Sequence, residues 1–553
     1  MKKFFTKNSL LILILVLAAF LRFYRLDTYP ALNADEAAIG YNAYSLIQTG
    51  KDEHGNPWPI HFQSFNDYKP GGYFYIVLPF VWAFGLNEWS VRLPGAIFGV
   101  LTVLFVYLLV KELQKWQQFK ILNYKFEIIA SFLLAISPWH IHFSRGGWEV
   151  NAATFFIVVG VYFFLRAIRN NKYFALSAIF FVLSLYTYHA ARIVTPLLGV
   201  VLLIIYRKDL FSSANRKLFL GSVILGAVLL VPLLTSFVGE ASARASGVSI
   251  FSDRGYIDRI EEKRARHEDP FSVLNRILYN KPKELAIEFS KNYFEHFKGE
   301  FLFISGDDIE RNKVPELGQL YLWQFPILII ALYAISKKSK GWGLVLAWLV
   351  ISPIPAALTF QSPHALRAQS MIIPLTILSA YGLTVILKFL NENIRKRGIL
   401  TTCYILLTTV LGWSFAHYLH QYYVHMAKTY PYSSQYGVKE LVEYMNENVN
   451  NTEPIVVTTR YDQPYILFLF YTKFDPKQFQ GHHILTARDK YGFSTVPAFN
   501  NYIFKSINYK DEDRDKFPGA ILVGTDEEIP DAANVIKNIY GSNNYLYFQV
   551  VAN

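Results

Sequence analysis

Residues 10–50 read LLILILVLAAFLRFYRLDTYPALNADEAAIGYNAYSLIQTG, an apolar run followed by a basic and aromatic stretch and then by an acidic pair. The apolar run extends from about Phe4 to Tyr24, close to the roughly 20 residues that cross a bilayer as a helix. Arg22 and Arg25 stand where the small residues of a cleavage site would be expected. We therefore interpret the run as an uncleaved first membrane span and not as a signal peptide.

The rest of the chain repeats this apolar character as far as residue 416. Hydrophobic residues make up 52% of the 553 residues and charged residues only 17%, against roughly 25% in ordinary soluble domains. Such a composition needs a bilayer as its solvent. The single cysteine, Cys403, excludes a disulfide framework and a cysteine metal site.

The net charge of +12 is concentrated in short loops, which favours an orientation signal over nucleic-acid binding. The basic loops, predicted to be cytoplasmic with the N-terminus, are 111–125, 166–172, 207–217, 337–340 and 388–397. The opposite, extracytoplasmic side then receives the loops 25–72, 139–149, 187–192, 238–318 and 359–368 and the chain after 416. We place Tyr73–Leu86 in the membrane surface, because it is short and interrupted by Pro79.

These assignments predict a polytopic α-helical membrane protein with about eleven spans. Residues 1–424 would form the transmembrane domain, with a first external loop at 25–72 and a large one at 238–318. Residues 425–553 would form a small extracytoplasmic α/β domain. In the first loop, Asn33 or Asp35 is predicted to cap a helix that runs to Gln48, and a turn or small hairpin follows at 51–62.

The acidic pair Asp35 and Glu36 allows two interpretations. Acidic residues at a helix N-terminus cap free N–H groups and oppose the helix dipole, and the same carboxylates could serve as a general base near the lipid surface. Lys69 likewise fits either an interfacial lysine that extends towards water or a phosphate contact.

Further ionisable residues fall on the predicted outer side. Arg145 lies in SPWHIHFSRGGWEVN, where two histidines lack an evident third metal ligand, so we do not favour a metal site. The spacing of two histidine–arginine pairs places the members of each pair on one helix face; these pairs are His189 with Arg192 and His364 with Arg367. Ionisable groups at span ends need partners, and a lipid-linked sugar phosphate would be one. The carboxylates would then accept the acceptor's proton, and the cations would stabilise the leaving phosphate.

At this point three segments resemble a known family. They are NADEAAIGYNAYSLIQTG (33–50), DYKPGGY (67–73) and WSVRLPGAIFGV (89–100), and they resemble the protein O-mannosyltransferase-like branch, family 39, of the GT-C glycosyltransferases, which includes the lipid A aminoarabinose transferases. The family's Asp-Glu pair matches Asp35 and Glu36, and its lysine-proline step matches Lys69 and Pro70. Many members carry a second proline where this chain has Gly71.

The resemblance implies inverting transfer from a polyprenyl-phosphate sugar to an extracytoplasmic protein, lipid or glycan. It implies that Asp35 is the base, that Glu36 positions the acceptor or the base, and that Lys69 contacts the phosphate. From side and depth we expect Arg145, His189, Arg192, His364 and Arg367 to contact the phosphate as well. We expect no cofactor, although some family members use a divalent metal, and we expect membrane lipids but no nucleic acid as partners.

Two other functions remain open from the sequence. A polytopic transporter or flippase would have a similar composition, although transporters place their charges near the bilayer midplane. A lipid-linked oligosaccharide ligase or polymerase would share the donor but not the early Asp-Glu loop. The clustering of polar residues at span ends favours an enzyme of the plasma membrane that works at the outer surface.

Overall fold

The computed structural model describes residues 2–116, 125–236, 249–251, 255–338, 341–430, 433, 435–449, 453–489, 493–530, 532–541 and 543–553. Parts of the predicted basic loops 111–125 and 337–340, and of the loop 238–318, lie outside these residues. The chain divides into two units. Unit 1 contains residues 1–18, 99–143 and 150–416, and unit 2 contains residues 19–98, 144–149 and 417–553. The predicted domain boundary at residue 424 remains a prediction.

Helices dominate the first 430 residues. The first group is α1 (Lys2–Phe23), α2 (Ala34–Thr49), α3 (Gly72–Phe84), α4 (Glu88–Trp116), α5 (Phe126–Ala135), α6 (Pro138–Ser144), α7 (Glu149–Arg169), α8 (Phe174–Thr187), α9 (Ala191–Leu210) and α10 (Arg216–Ser236). The second group is α11 (Gly255–Ala265), α12 (Val273–Leu278), α13 (Lys281–Glu295), α14 (Gln324–Lys338), α15 (Gly343–Ile351), α16 (Ile354–Ala357), α17 (Ile372–Asn393), α18 (Arg397–His420) and α19 (Met426–Thr429).

Five helices in the described part of the chain are long and apolar enough to cross a bilayer. They are Glu88–Lys115, Glu149–Arg169, Arg216–Ser236, Gln369–Asn393 and Arg397–Thr429, and α5 with α6, bent by 57°, makes a sixth if the pair is one span. Shorter apolar helices include Ser9–Phe23 and Gly72–Phe84. The count of about eleven spans and the surface position of α3 therefore stay predictions.

Unit 1 is a helical bundle, and several of its helices expose large apolar side chains. Helix α17 packs against α14 and α5, and α8 packs against α9 and α10. A Cβ atom on Gly382 would lie 2.2 Å from the carbonyl oxygen of Ile327, so the closeness of α14 and α17 requires glycine there. On α10, Ile224 and Val228 are exposed, and lipid is the solvent that such side chains prefer.

Unit 2 combines the first loop with the C-terminal residues. A two-stranded antiparallel sheet joins β1 (His61–Ser64) to β2 (Asp67–Pro70), with Phe62 opposite Lys69. The turn predicted at 51–62 is present as a bridge between Lys51 and Pro57, but the hairpin follows it at 61–70. The turn residues Phe65 and Asn66 adopt positive φ, a conformation that asparagine tolerates well in turns.

The C-terminal part of unit 2 contains a mixed six-stranded sheet. Its helices are α20 (Val438–Asn448), α21 (Pro464–Thr472), α22 (Pro476–Gln480) and α23 (Arg514–Lys516). Its strands are β3 (Ile455–Val457), β4 (Ala498–Phe499), β5 (Tyr502–Phe504), β6 (Ile521–Gly524), β7 (Val535–Tyr540) and β8 (Leu546–Ala552), in the order β4-β5-β3-β6-β8-β7. Strand β3 is parallel to β5 and β6. Val456, Leu522 and Val551 belong to its buried core.

Candidate active site

The acidic pair sits in the first turn of α2, where Asn33 caps the helix. The Asn33 side chain accepts a hydrogen bond from the Glu36 N–H at 3.1 Å, and the Glu36 carboxylate accepts the Asn33 N–H at 3.2 Å. This reciprocal capping box satisfies N–H groups that would otherwise lack partners. The helix ends at Gly50, whose φ of 72° is left-handed. The capping interpretation of the acidic pair is therefore confirmed for Glu36.

Glu36 also forms a buried ion pair with Arg92 on α4. Arg92 donates Nε to Oε1 and Nη2 to Oε2, each at 2.7 Å, and the two side chains are 0% and 1% exposed. The Gly147 N–H donates a further hydrogen bond to Oε1 at 2.8 Å. A bidentate arginine with extra hydrogen bonds is the arrangement in which a buried charge pair is tolerated. Glu36 thus fixes the start of α2, and its predicted part in catalysis stays a prediction.

Arg92 extends this network to the segment that precedes α2. Its Nη atoms donate to the main-chain carbonyls of Leu26, Pro30 and Ala31 at 2.7–3.0 Å. The sequence identified Arg92 only as part of a family motif, and no local pattern shows that its partner is Glu36. The guanidinium locks residues 26–36 against α4, so the neighbouring Asp35 is held in a defined position.

Asp35 pairs with Lys69 of the β1–β2 hairpin. Lys69 Nζ lies 2.5 Å from Asp35 Oδ1, and the side chain of Asp35 is 23% exposed while that of Lys69 is 8% exposed. Burial lowers the pKa of Lys69, but the carboxylates of Asp35 and Glu149 outweigh it, so the pKa lies above its ordinary value. Lys69 is therefore a cation at neutral pH, and Asp35 is the one member of the acidic pair that solvent or substrate can reach.

Arg145 does not have the surroundings that its predicted role requires. It is fully buried, and its N–H groups donate to the carbonyls of Leu21 and Tyr29 at 2.9 and 3.0 Å and to the Tyr422 hydroxyl at 3.2 Å. Its guanidinium also lies over the ring of Tyr423. Because main-chain carbonyls occupy these donors, we leave Arg145 out of the proposed phosphate site.

The two histidine–arginine pairs lie in unit 1. His189 Nδ1 is 3.1 Å from Arg192 Nη1. The two residues meet, but not on one helix face as predicted, because His189 lies in the turn before α9. Arg367 donates to the Thr359 hydroxyl at 2.7 Å, and the His364 N–H donates to His296 Nε2 at 3.1 Å. The role of these four residues in binding phosphate stays a prediction.

In the part of the chain that the structure describes, we find no group of three or more histidine, cysteine or carboxylate side chains that could together hold a metal ion.

Glu53 is a second buried carboxylate near this site, which sequence reasoning missed. Asn42 on α2 donates to Glu53 Oε1 at 3.2 Å and accepts the Glu53 N–H at 2.9 Å, while Glu53 Oε2 is buried without a hydrogen-bond partner. Burial raises the pKa of Glu53 to about 8, although the Asn42 hydrogen bond lowers it. Because the acid titrates near 8, Glu53 is mostly protonated at neutral pH.

Replacing Glu53 by glutamine is expected to stabilise the protein at alkaline pH. The folded-state pKa of Glu53 lies above the unfolded value of 4.5, so its contribution to stability falls as pH rises between about 4.5 and 8. Glutamine keeps the shape and the Asn42 contact but does not ionise. Relative to wild type, Glu53→Gln should therefore gain on the order of 2–5 kcal/mol between about pH 5 and pH 9. The measurement is thermal unfolding of the detergent-purified full chain across this range.

The matched control is Glu447→Gln, which removes an exposed glutamate on α20. This variant should follow the wild-type pH profile, because an exposed carboxylate loses little solvation on folding. If Glu53→Gln and Glu447→Gln show the same profile, Glu53 does not carry a buried charge at high pH.

The C-terminal residues contribute directly to the same loop. The Gln480 amide donates to the side chains of Ser45 and Thr49, each at 2.9 Å, and to the Asp52 carbonyl at 2.7 Å. Gln435 accepts the Ala34 N–H at 2.6 Å, next to Asp35. These contacts hold both ends of α2. Nothing in the local sequence around residues 435 and 480 signals them.

Part of the chain is similar to a known protein family. The model of the family described as dolichyl-phosphate-mannose-protein mannosyltransferase matches residues 12–238. The putative mannosyltransferase YkcB of Bacillus subtilis is 34% identical over 101 residues, which cover 18% of this chain and only 13% of that relative. All the residues singled out above in α2, the hairpin and α4 lie within the matched range 12–238.

Two solved structures share the fold. ArnT from Cupriavidus metallidurans bound to undecaprenyl phosphate aligns with a TM-score of 0.53 and 13% identity over 98% of this chain and 97% of that chain. The oligosaccharyltransferase AglB from Archaeoglobus fulgidus, in complex with an inhibitory peptide and a dolichol-phosphate, aligns with a TM-score of 0.51 and 15% identity over 85% of this chain and 64% of that chain. At such identities the likeness concerns the fold.

Proposed function

We propose that this integral membrane protein is a glycosyltransferase of the GT-C type. Two findings support this: its fold is that of ArnT and AglB, and its residues 12–238 match the protein mannosyltransferase family. It transfers a sugar from a polyprenyl-phosphate donor to an extracytoplasmic acceptor. The N-terminus is cytoplasmic, and residues 425–553 lie outside the plasma membrane. Mannose is the first sugar to test and a polypeptide the first acceptor, because the family's description names both.

The observation that carries this proposal is the Asp35–Lys69 pair. A partly exposed carboxylate contacts a buried ammonium group at 2.5 Å, so a base and a cation meet at one point. Inverting transfer needs both, since the acceptor must lose a proton and the leaving phosphate gains negative charge. A neutral pair of polar residues would supply neither.

The reaction is a single displacement at the anomeric carbon. The acceptor oxygen forms the new bond to that carbon while the bond to the phosphate oxygen breaks, and Asp35 takes the acceptor's proton. The carrier phosphate leaves as an anion beside Lys69 and requires no proton. Displacement from the opposite face inverts the configuration, and Glu36 keeps Asp35 in place through its capping box and its pair with Arg92.

Support for the donor class comes from the compared structures, which hold undecaprenyl phosphate in ArnT and dolichol-phosphate in AglB. His189, Arg192, His364 and Arg367 are proposed as further contacts to the donor phosphate, because arginine and histidine suit phosphate oxygens. No cofactor is proposed, and a divalent metal is an alternative that we do not favour.

The proposal is tested with the full chain reconstituted in liposomes and supplied with a polyprenyl-phosphate donor that carries radiolabelled mannose. The acceptors are a polypeptide first, and then lipid and cell-wall glycan fractions. We expect label to move from the organic-soluble donor to an acceptor fraction, and we expect no transfer when the label is supplied as a nucleotide sugar. Label that crosses the bilayer but stays on the lipid would support a flippase instead. Transfer from the nucleotide sugar alone would contradict the proposed donor.

A further inference from the structure

Unit 1 contains a cavity at the C-terminal ends of α4 and α7, the ends predicted to face the cytoplasm. Its volume is about 410 Å³, within the range of about 300–1,000 Å³ that is usual for small-molecule pockets. The lining residues are Leu108, Lys111, Glu112, Lys115, Tyr162, Arg166, Arg169 and Asn170. They have no part in the transfer reaction proposed above.

The cavity carries an excess of positive charge. Glu112, 6% exposed, pairs with Lys115 at 2.8 Å and with Arg169 at 3.6 Å. Lys111 and Arg166 have no carboxylate within ion-pair distance among the residues that the structure describes. Four cations and one carboxylate line the cavity, which leaves a net charge of +3 (4 − 1).

Neighbouring side chains orient the guanidinium of Arg166 in a way that suits the binding of an anion. It donates Nη1 to the Tyr162 hydroxyl at 2.6 Å, and its guanidinium lies 4.6 Å from the centre of the Tyr173 ring. These contacts fix the guanidinium plane while leaving other N–H groups for a ligand, since the side chain is exposed. A pre-oriented guanidinium suits the bidentate recognition of a phosphate group.

Two simpler explanations account for part of this charge. Lysine and arginine mark cytoplasmic loops, and they also offset the negative ends of helix dipoles. Two helix C-termini contribute about −1 in total at roughly −0.5 each, so a charge of +3 exceeds what the dipoles require. An orientation signal would need basic residues in the loops but no cavity between the helix ends.

We propose that this cavity is a binding site for a phosphate-bearing headgroup, supplied by an anionic phospholipid of the cytoplasmic leaflet or by a soluble phosphate compound. Basic pockets between spans on the cytoplasmic side are suited to anionic headgroups. The cavity lies at the ends of two candidate spans, Glu88–Lys115 and Glu149–Arg169, where a headgroup would be found. Arg166 and Lys111 contact the phosphate, and Glu112 limits the affinity by holding Lys115 and Arg169.

The test measures lipid binding to the detergent-purified full chain by native mass spectrometry, with phosphatidylglycerol as probe and phosphatidylcholine as the neutral reference. The variant is Lys111→Gln with Arg166→Gln. At about 1 kcal/mol for each basic residue near anionic lipid, the double variant should bind phosphatidylglycerol about 30-fold more weakly. Binding of phosphatidylcholine should not change.

The matched control is Arg207→Gln with Lys208→Gln, an exposed arginine and lysine in the last turn of α9, predicted to lie on the same side of the membrane but outside the cavity. The control should bind phosphatidylglycerol like the wild type. Equal losses in both double variants, or equal binding of the two lipids by wild type, would overturn the proposal.

Two further measurements complete the test. Glu112→Gln should tighten phosphatidylglycerol binding, because it frees Lys115 and Arg169 for the ligand, and a gain cannot arise from misfolding. Inorganic pyrophosphate distinguishes the two sources of phosphate. If wild type binds pyrophosphate as tightly as the lipid and the Lys111 and Arg166 variant does not, the site serves a soluble phosphate compound. Weakening by Glu112→Gln would contradict the charge argument.

Discussion

Asp35→Asn is expected to lower the rate of sugar transfer by roughly two to four orders of magnitude, the usual contribution of a general base. Asparagine has the size of aspartate but cannot take the acceptor's proton. Because the loss affects the chemical step, kcat should fall while KM for the polyprenyl-phosphate donor changes little. The measurement is initial-rate transfer in liposomes with the donor concentration varied.

The fold should survive this change. Asp35 is partly exposed, and after the substitution the carboxylates of Glu149 and Asp67 still raise the pKa of Lys69, so the ammonium is not left without a nearby negative charge. Asp526→Asn is the control, because Asp526 is exposed after β6 in the same unit. Transfer at the wild-type rate by properly folded Asp35→Asn protein would remove Asp35 from the mechanism.

The sequence was informative about the site wherever the signal is local. The cap at Asn33, the end of α2 at Gly50 and the carboxylates in its first turn all follow from rules that act within a few residues. The pairing of Asp35 with Lys69 depends on a hairpin that returns the chain over 34 residues. The sequence predicted a turn or small hairpin at 51–62, whereas the hairpin lies at 61–70, several residues later.

Arg145 shows where sequence reasoning reached its limit. An arginine beside tryptophans at the end of a span has the same local pattern whether it meets lipid phosphate or main-chain carbonyls. The structure gives it the carbonyls of Leu21 and Tyr29, which are more than 100 residues away in the chain. The distant partners Gln435 and Gln480 were missed for the same reason, because a single polar side chain carries no signal of what it will bind.

Breaking the Glu36–Arg92 pair is expected to produce the largest loss of stability. Arg92→Gln leaves the Glu36 carboxylate buried without its cation, and removing one partner of a buried pair costs about 3–5 kcal/mol. It also removes donors from the carbonyls of Leu26, Pro30 and Ala31. We expect a lower thermal unfolding midpoint in detergent and less protein in the membrane. Transfer activity should fall with the folded fraction, because Asp35 is held through this network.

The double variant Arg92→Gln with Glu36→Gln separates the cost of the unpaired buried charge from the cost of the lost hydrogen bonds. If the cost comes from the uncompensated carboxylate, neutralising it should restore part of the stability that Arg92→Gln loses, since the coupling energy of contacting residues appears in such a cycle. Arg460→Gln is the matched control, because Arg460 pairs with Glu527, whose side chain is 62% exposed, and exposed pairs contribute only about 0–1 kcal/mol. Equal losses in Arg92→Gln and Arg460→Gln would mean that burial of the Glu36 charge does not govern stability. A double variant less stable than Arg92→Gln alone would place the cost in the lost hydrogen bonds that hold the start of α2.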